Sequence, residues 1–312
     1  EPAVLALERE TGEVIDAGKK AFEMTGRCPD AIKLTRPLLS GGIAELENSE
    51  KLIRTFLERI CKNKIFKPVV AATMPAGITN LEKRNILDCI LKAGAGKAVL
   101  IEEPLAAALG IGINPEMPYG TMIVNIGAGT TGVAVVTMGS IAVAKSATVG
   151  GDDMDRVIKT YLKNNRGVEV GRLTAEELKQ LIGGAKVREE TIAAVAKGKD
   201  TADGMPLFFE VTAQEINFAI RDCVDEICKA ITDVLEVTPP ELVNDITDSG
   251  IFLCGGMSKL YGIDKYIEEI TGIRVKIPGN ESHVAALGCL KALNEENYLK
   301  QNGYHFVTLE IL

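Results

Sequence analysis

Residues 123–133 read Ile123-Val124-Asn125-Ile126-Gly127-Ala128-Gly129-Thr130-Thr131-Gly132-Val133, and this stretch decides the fold. Its apolar start predicts a buried strand, its glycines a tight turn, and its apolar end a second strand. Glycines allow positive φ and a close approach of the backbone. Successive N–H groups in such a turn can hold an anion, with threonine hydroxyls as further donors. A plain tight hairpin has the same pattern, so the turn alone leaves both interpretations open.

The residues after this turn exclude two common phosphate-binding motifs. A Walker loop needs a Lys-Ser/Thr pair after its glycines, and both it and the dinucleotide fingerprint lead into a helix. Here Thr131 opens a second apolar run instead. The wider window, residues 121–144, is uncharged and long enough to span a bilayer. Because glycines recur in it and Asn125 lies inside it, buried strands joined by tight turns are the better interpretation.

The composition is that of a globular chain without a broad basic face. Its 312 residues suit about two domains, and 25% charged with 46% hydrophobic residues is ordinary for a globular protein. A net charge of −8 and 4% aromatic residues argue against nucleic acid as a partner. The seven cysteines form no C-x-x-C pair and only two histidines are present, so no zinc spacing exists. Buried thiols in a reducing cytosol are expected.

The hydrophobic pattern on either side of the stretch predicts two halves built of sheets and helices. Residues 69–110 read strand, helix, strand, helix, which is typical of a parallel sheet. Residues 122–146 predict three strands in quick succession, and residues 214–236 a long amphipathic helix that Pro239-Pro240 ends. A strand at 251–254 then enters a second glycine turn. Two units of sheet and helix, each led by a glycine turn after an apolar strand, predict two related halves around a cleft.

Two acidic segments are further candidates for functional residues. Glu103 follows a strand and precedes an Ala-rich helix, where it could orient a water for attack on a phosphate. The same position also suits an acidic residue that stabilises a helix N-terminus. The Asp152-Asp153-Asp155 cluster after Gly150-Gly151 is most simply a helix start.

Taken in order, these segments resemble the MreB family of actin-like ATPases along almost the whole chain. Many consecutive motifs in register make the resemblance specific. They are residues 1–4 with Thr11-Gly12-Glu13, Arg36-Pro37 with Gly41-Gly42-Ile43-Ala44, residues 75–79 (PAGIT) with Lys83-Arg84, residues 101–108 (IEEPLAAA) and residues 238–242 (TPPEL).

The resemblance implies an α/β, actin-like or ribonuclease H-like two-lobed fold, with four subdomains and a central nucleotide cleft. Lobe I is expected at residues 1–118 plus 288–312, with a small insertion at about 6–38. Lobe II is expected at residues 119–287, with an insertion at about 155–218. The family's opening strand pair and its D-x-G-T phosphate loop are expected before Glu1, so a truncated sequence is favoured over a true remnant.

The resemblance also implies roles for residues in binding ATP or ADP. Those that match its second phosphate loop are Gly127, Ala128, Gly129, Thr130 and Thr131, and those that match its adenosine-side loop are Gly255, Gly256, Met257 and Ser258. Glu176 and Lys179 fall at its E-x-x-K, expected to hold ribose and adenine, although their spacing alone favours a surface salt bridge. Glu103 stands where the superfamily has its water-orienting residue, with Thr130 as helper.

One loop of the chain matches the position at which the family inserts apolar side chains into the inner membrane. Residues 62–67 read Lys-Asn-Lys-Ile-Phe-Lys and place Ile65 and Phe66 among lysines that favour anionic lipid. The alternative is a connector whose Phe66 packs into the core. Two side chains bury little for one subunit, but a filament multiplies the contact.

Departures from the family pattern bear on catalysis. Asn125 replaces an aspartate, which removes a charge from binding of the Mg²⁺ water shell. Ala128 replaces the middle glycine of the phosphate loop, Gly132 replaces a glutamate, and Met257 replaces a glycine of the adenosine-side loop. These changes argue against efficient hydrolysis.

The resemblance implies a cytoplasmic protein at the inner face of the plasma membrane. It would form ATP-dependent homopolymer filaments that organise cell-wall synthesis and rod shape together with the cell-wall elongation machinery. The alternative is a degenerate, non-hydrolysing homologue that serves as a structural filament subunit. An Hsp70-like ATPase and a sugar kinase of the same superfamily are disfavoured.

Overall fold

The computed structural model describes residues 1–39, 41–62, 66–113, 117–188, 190, 192–280, 282–295, 299 and 306–309. The chain divides into two compact units. The first comprises Glu1–Gly110 with Ala285–Leu312, and the second comprises Ile111–Val284.

The first unit combines a small antiparallel sheet with a parallel strand pair. Its elements are β1 (Leu5–Glu8), β2 (Val14–Ala17), α1 (Lys19–Glu23), β3 (Ile32–Thr35), β4 (Leu38–Leu39), β5 (Gly42–Ile43), α2 (Leu46–Ile60), β6 (Val69–Met74), α3 (Asn80–Lys92), β7 (Lys97–Glu102) and α4 (Glu103–Ile111). Strand β1 pairs antiparallel with β2 and β3. The parallel pair β6 and β7 is joined through α3 and confirms the pattern predicted for residues 69–110. Helix α4 follows β7 directly, which puts Glu103 in the first helical turn.

The second unit is built on a mixed sheet. Its elements are β8 (Thr121–Ile126), β9 (Thr131–Thr137), β10 (Ser140–Ala147), α5 (Gly151–Arg166), β11 (Val168–Glu169), α6 (Arg172–Ile182), β12 (Ala193–Asp200), β13 (Pro206–Thr212), α7 (Ala213–Val237), α8 (Pro240–Ser249), β14 (Ile251–Cys254), α9 (Ile263–Thr271) and β15 (Val275–Lys276). A 3₁₀ turn, Gly256–Lys259, follows β14. Helix α10 (Val284–Asn294) leads into the last segment of the first unit.

The order of strands in this sheet places two chain turns side by side. The order is β10-β9-β8-β14-β15, with β8, β9 and β10 antiparallel and β14 parallel to both β8 and β15. The register pairs Cys254 at the end of β14 with Asn125 near the end of β8. Because both strands run in the same direction, the turns that follow them leave the same edge of the sheet.

The core of the second unit lies between this sheet and its helices. Met122, Val124 and Val135 of the sheet are buried with Met154 and Ile158 of α5. Helix α7 packs against β9 and β10, and α5 packs against both α6 and α7. This packing fixes the start of α5 close to the turn between β8 and β9.

Most predicted elements are confirmed, with one clear omission. The uncharged window forms strands, as predicted, and none of the described helices is long and apolar enough to cross a membrane. The Pro239-Pro240 pair ends α7 but also opens a helix that was not predicted, α8, because proline is well suited to a first helical turn. Of the cysteines, Cys28 and Cys61 are partly exposed, and the other five are buried.

Candidate functional site

The glycine turn predicted from the sequence connects β8 to β9 in the second unit. Gly127 donates its N–H to the Thr130 carbonyl at 2.9 Å, which closes the turn. Asn125, one residue before the end of β8, is half-buried. The Thr131 hydroxyl is buried and donates to the Val149 carbonyl at 2.8 Å, which ties the end of the turn to the segment that precedes α5.

The start of α5 holds this turn through two backbone hydrogen bonds. The N–H of Gly151 donates to the Gly127 carbonyl at 3.1 Å, and that of Asp152 donates to the Ala128 carbonyl at 2.7 Å. In a planar trans peptide the carbonyl and the next N–H point in opposite directions. The N–H groups of Ala128 and Gly129 therefore point away from α5. Within the described part of the chain, the N–H groups of Ala128, Gly129 and Thr130 donate no hydrogen bond. Such a set can receive an anion.

Two glycines allow the loops to approach this closely. A Cβ on Gly150 would lie 2.6 Å from the Ala128 carbonyl oxygen. Gly255 has a φ of +89°, and a Cβ there would lie 2.2 Å from the Ile126 carbonyl oxygen. Any larger residue would displace the turn, so these glycines are part of the site. Gly150 was not among the sequence-predicted site residues, although its Gly-Gly dipeptide before a helix was a usable signal.

The second predicted glycine turn contacts the start of α5. Residues 255–258 enter the 3₁₀ turn, and the Ser258 hydroxyl donates to the Gly255 carbonyl at 2.7 Å. The Met257 sulfur lies 3.0 Å from where a Cβ on Gly151 would be. The structure therefore brings together residues 127–131, residues 150–152 and residues 255–258.

Lys179 is buried, which contradicts the surface salt bridge that its spacing from Glu176 favoured. Its Nζ lies 2.6 Å from Oδ1 of Asp155 and donates to the Gly151 carbonyl at 2.7 Å. Asp155 and Lys179 are 2% and 6% exposed. Burial raises the pKa of Asp155 above its usual value, and the charge of Lys179 opposes that rise. Glu176 is half-buried and instead accepts from Gln180 at 3.4 Å.

The three aspartates at the start of α5 have different environments. Asp153 accepts the Gly150 N–H at 3.1 Å, as expected for a helix start. Asp152 pairs with Arg172 of α6 at 2.5 Å. Asp155 is the buried partner of Lys179, a role that the sequence analysis missed. A usable signal was that Asp155 lies on the same face of α5 as Ile158, one turn further along.

A cavity of about 530 Å³ lies beside the second glycine turn, within the second unit. Predicted site residues that line it are Lys179, Gly256 and Met257, and Gln180 and Leu260 line it as well. Lys179, which lines the cavity, donates to the Gly151 carbonyl, and the N–H of Gly151 holds the first glycine turn. The arrangement can hold a phosphorylated ligand with an anionic end at the turn and a flat end in the cavity.

The other predicted residues lie in the first unit. Glu103 is half-buried at the start of α4, and burial together with the Glu103 charge raises the pKa of Cys289 to about 11. Phe66 is 86% exposed, so it does not pack into the core as the alternative for its loop required. Ile65 lies outside the described residues.

The fold defines the class of protein. A filament structure of the actin-like protein MamK matches 94% of this chain and 91% of its own, with a TM-score of 0.79 at 18% identity, which shows the actin-like fold alone. The sequence profile described as MreB/Mbl protein matches residues 1–301. The chain belongs to the MreB/Mbl family.

Relatives within this family match at higher identity. The cell shape-determining protein MreB of Escherichia coli (strain K12) is 35% identical over 299 residues, which cover 94% of this chain and 86% of that protein. The cell shape-determining protein Mbl of Bacillus subtilis (strain 168) is 35% identical over 291 residues, covering 92% and 87%. MreB5 of Spiroplasma citri bound to AMPPNP is 31% identical with a TM-score of 0.90, covering 97% of this chain and 91% of that one. A second MreB5 structure is bound to ADP.

Proposed function

We propose that this chain is a nucleotide-binding filament subunit that takes part in determining cell shape. The observation that carries the proposal is the set of unpaired amides at Ala128, Gly129 and Thr130, held in place by α5. The two-lobed arrangement with four subdomains, including insertions at about 6–38 and 155–218, is part of this proposal.

Each part of the nucleotide has residues suited to it. The unpaired amides and the Thr130 hydroxyl suit the phosphates, because backbone N–H groups in a turn favour negative charge. The cavity between α6 and the 3₁₀ turn suits the nucleoside, with Met257 and Leu260 as apolar walls. MreB5 of Spiroplasma citri, which binds ADP and AMPPNP, supports this assignment.

The residues present fit a metal ion weakly. Among the described residues, no three His, Cys, Asp or Glu side chains are grouped as metal ligands. The side chain of Asn125 offers one neutral oxygen near the turn, and within the described part of the chain this side chain makes no hydrogen bond. We therefore assign Mg²⁺ to the nucleotide phosphates and give the protein only a minor share in holding it.

We propose slow hydrolysis, in which Glu103 orients the attacking water and Thr130 assists. A carboxylate in this role holds the water by hydrogen bonding and accepts a proton from it. Asn125 and Gly132 remove two charged groups that the family pattern has near the phosphates. The second candidate function, a non-hydrolysing structural subunit, is favoured by the neutral, unbonded Asn125 amide.

Self-association and membrane contact complete the proposal. Filaments of MamK, which shares the fold, support assembly of a homopolymer. The exposed Phe66 ring, with Lys62 and Lys67 on either side, supports contact with the inner face of an anionic membrane. We also propose cytoplasmic placement and work with the cell-wall elongation machinery, which similarity to proteins named as cell shape-determining supports.

Calorimetric titration with ADP tests the phosphate site. Gly150→Ala should weaken ADP binding by about tenfold or more, because a displaced turn loses at least one charge-assisted hydrogen bond. The matched control is Gly279→Ala, where a Cβ meets nothing within 4 Å. Equal affinity in Gly150→Ala and Gly279→Ala would overturn the assignment.

Phosphate release and sedimentation, measured together, separate the two functions. A chain that binds ATP, releases phosphate and pellets as filaments is an ATPase of the family type. Pelleting without phosphate release, with release restored by Asn125→Asp, identifies the non-hydrolysing subunit.

A further inference from the structure

The β12–β13 hairpin of the second unit has one buried face and one exposed face. Ala196 of β12 and Val211 of β13 are buried in the core of that unit. Because side chains alternate along a strand, their neighbours point outwards. Two of these outward residues are large and apolar: Val195 is 72% exposed and Phe208 is 67% exposed. Exposed apolar side chains that lie together on one face are typical of a contact surface.

Four outward residues form a compact group in the middle of the exposed side, which we call the hairpin face. Across the two strands, the register pairs Val195 with Glu210 and Lys197 with Phe208. The two apolar side chains therefore lie on one diagonal of the group, and the two charged side chains lie on the other. Lys197 and Glu210 have opposite charges, and both are exposed.

The two charges of the hairpin face do not neutralise each other within one subunit. The Lys197 ammonium group lies over the Phe208 ring instead, with Nζ 5.2 Å from the ring centre. Within the described part of the chain, neither Lys197 nor Glu210 forms an ion pair. The face therefore presents one cation and one carboxylate that are both available to a partner.

The hairpin face is complementary to itself. A two-fold axis along the diagonal through Val195 and Phe208 would bring each of these side chains against its own counterpart in a second copy. The same axis would bring Lys197 of each copy against Glu210 of the other. Since the diagonal runs at roughly 40° to the strands, the two hairpins would cross at nearly a right angle. Crossing near a right angle is one of the two usual ways in which sheets pack.

We propose that the hairpin face joins two copies of this chain that belong to neighbouring filaments. Val195 and Phe208 supply the apolar contact, and Lys197 and Glu210 supply two ion pairs. A group of four side chains buries less area than a stable complex needs, so two single subunits should not pair. Many such contacts in line along two filaments add up. This inference rests on the proposed filament function.

Sedimentation of the full chain with ATP at two speeds tests the inference. High speed collects single filaments, and low speed collects only filaments that have joined laterally. Lys197→Glu and Glu210→Lys should each lower the fraction in the low-speed pellet by about tenfold or more, because each brings like charges together at every subunit. The double variant Lys197→Glu/Glu210→Lys should restore low-speed pelleting, because the exchanged charges again meet with opposite sign.

Two more variants separate the apolar contact from a general effect of charge. Val195→Asp should also lower low-speed pelleting, because it brings two carboxylates together on the axis. The matched control is Lys229→Glu, which makes the same change of charge on the exposed side of α7 and should pellet as the wild type does. All variants should keep the high-speed pellet and the binding to vesicles, because we assign only the contact between filaments to this face. Unfolding temperatures show that each variant is folded.

The outcomes distinguish this inference from the function on which it rests. Wild-type filaments that stay in the low-speed supernatant, or a double variant that is not restored, would overturn the inference. Loss of vesicle pelleting in Val195→Asp, with lateral joining intact, would assign the face to lipid and overturn it too. Absence of the wild type from the high-speed pellet would instead count against the proposed filament.

Discussion

Single residues of the site act mainly by fixing the backbone. The Lys179 ammonium group pairs with the Asp155 carboxylate and donates a hydrogen bond to the Gly151 carbonyl. The N–H of Gly151 in turn donates to the Gly127 carbonyl in the glycine turn. This chain of contacts joins α6 to the turn that we assign to phosphate. A lysine that the family pattern assigns to ribose and adenine therefore also has a positioning role here, through the buried carboxylate beside it.

A double-mutant cycle on Asp155 and Lys179 tests this role. Asp155→Asn or Lys179→Met alone should lower the free energy of unfolding by about 3 kcal/mol, because each leaves a buried charge without its partner. The double variant should lose less than the sum, and all three should bind ADP more weakly than the wild type. Urea unfolding gives the free energies, with Glu47→Gln as the control, since that exposed partner of Lys51 is expected to cost at most about 0.5 kcal/mol. Additive losses would show that the two side chains do not act as a pair.

At the scale of elements, the sequence predicted what local patterns determine. The apolar runs on either side of the first glycine turn predicted β8 and β9, and the hydrophobic pattern of residues 69–110 predicted β6, α3 and β7. These elements could be predicted because their structure depends on residues that are neighbours in sequence. The burial of Lys179 could not be predicted, since it depends on how α5 packs against α6. The same holds for the stacking of Arg188 on Tyr261, with Cζ 4.2 Å from the ring centre, which depends on a backbone bridge between Gly184 and Tyr261. The glycine turns and Lys179 were predicted as site residues, whereas Gly150 and Asp155 were not.

The start of α7 makes a prediction for the pH dependence of stability. Glu215 closes a capping box with Thr212 and pairs with Arg166 at 2.6 Å, and the hydrogen bond from Arg166 is the main cause that lowers the pKa of Glu215 to about 2. Because the pKa is lower in the folded than in the unfolded state, this stabilisation is complete above about pH 4.5 and disappears as the pH falls towards about 2.

Glu215→Gln should therefore destabilise the protein by about 1–2 kcal/mol at pH 7. The difference from the wild type should shrink between pH 4.5 and pH 2, because protonation removes the same charge from the wild type. Urea unfolding at a series of pH values measures this difference. A constant difference across that range would contradict the assignment of the stabilisation to the Glu215 charge.

At the scale of the whole molecule, net charge and local charge oppose each other at a membrane. The chain carries a formal charge of −8, so an anionic lipid surface repels it on average. Attraction must then come from a local patch, and the segment around Phe66 combines an 86% exposed ring with lysines on both sides. Burial of one phenylalanine contributes about 1.5–3 kcal/mol, which is too little to hold a single subunit. Assembly into a filament sums the contacts of many subunits, so membrane binding should depend on assembly.

Phe66→Ser should abolish pelleting with vesicles that contain anionic phosphatidylglycerol, while filaments still form in the absence of lipid. The ring is exposed, so its loss should not change the unfolding temperature measurably. The matched control is Phe208→Ser, which removes another exposed ring, 67% accessible, on the β12–β13 hairpin of the second unit. Raising the salt concentration should weaken wild-type pelleting, because the lysines contribute through a screened attraction. Vesicle pelleting of Phe66→Ser equal to that of Phe208→Ser would show that this loop does not contact the membrane.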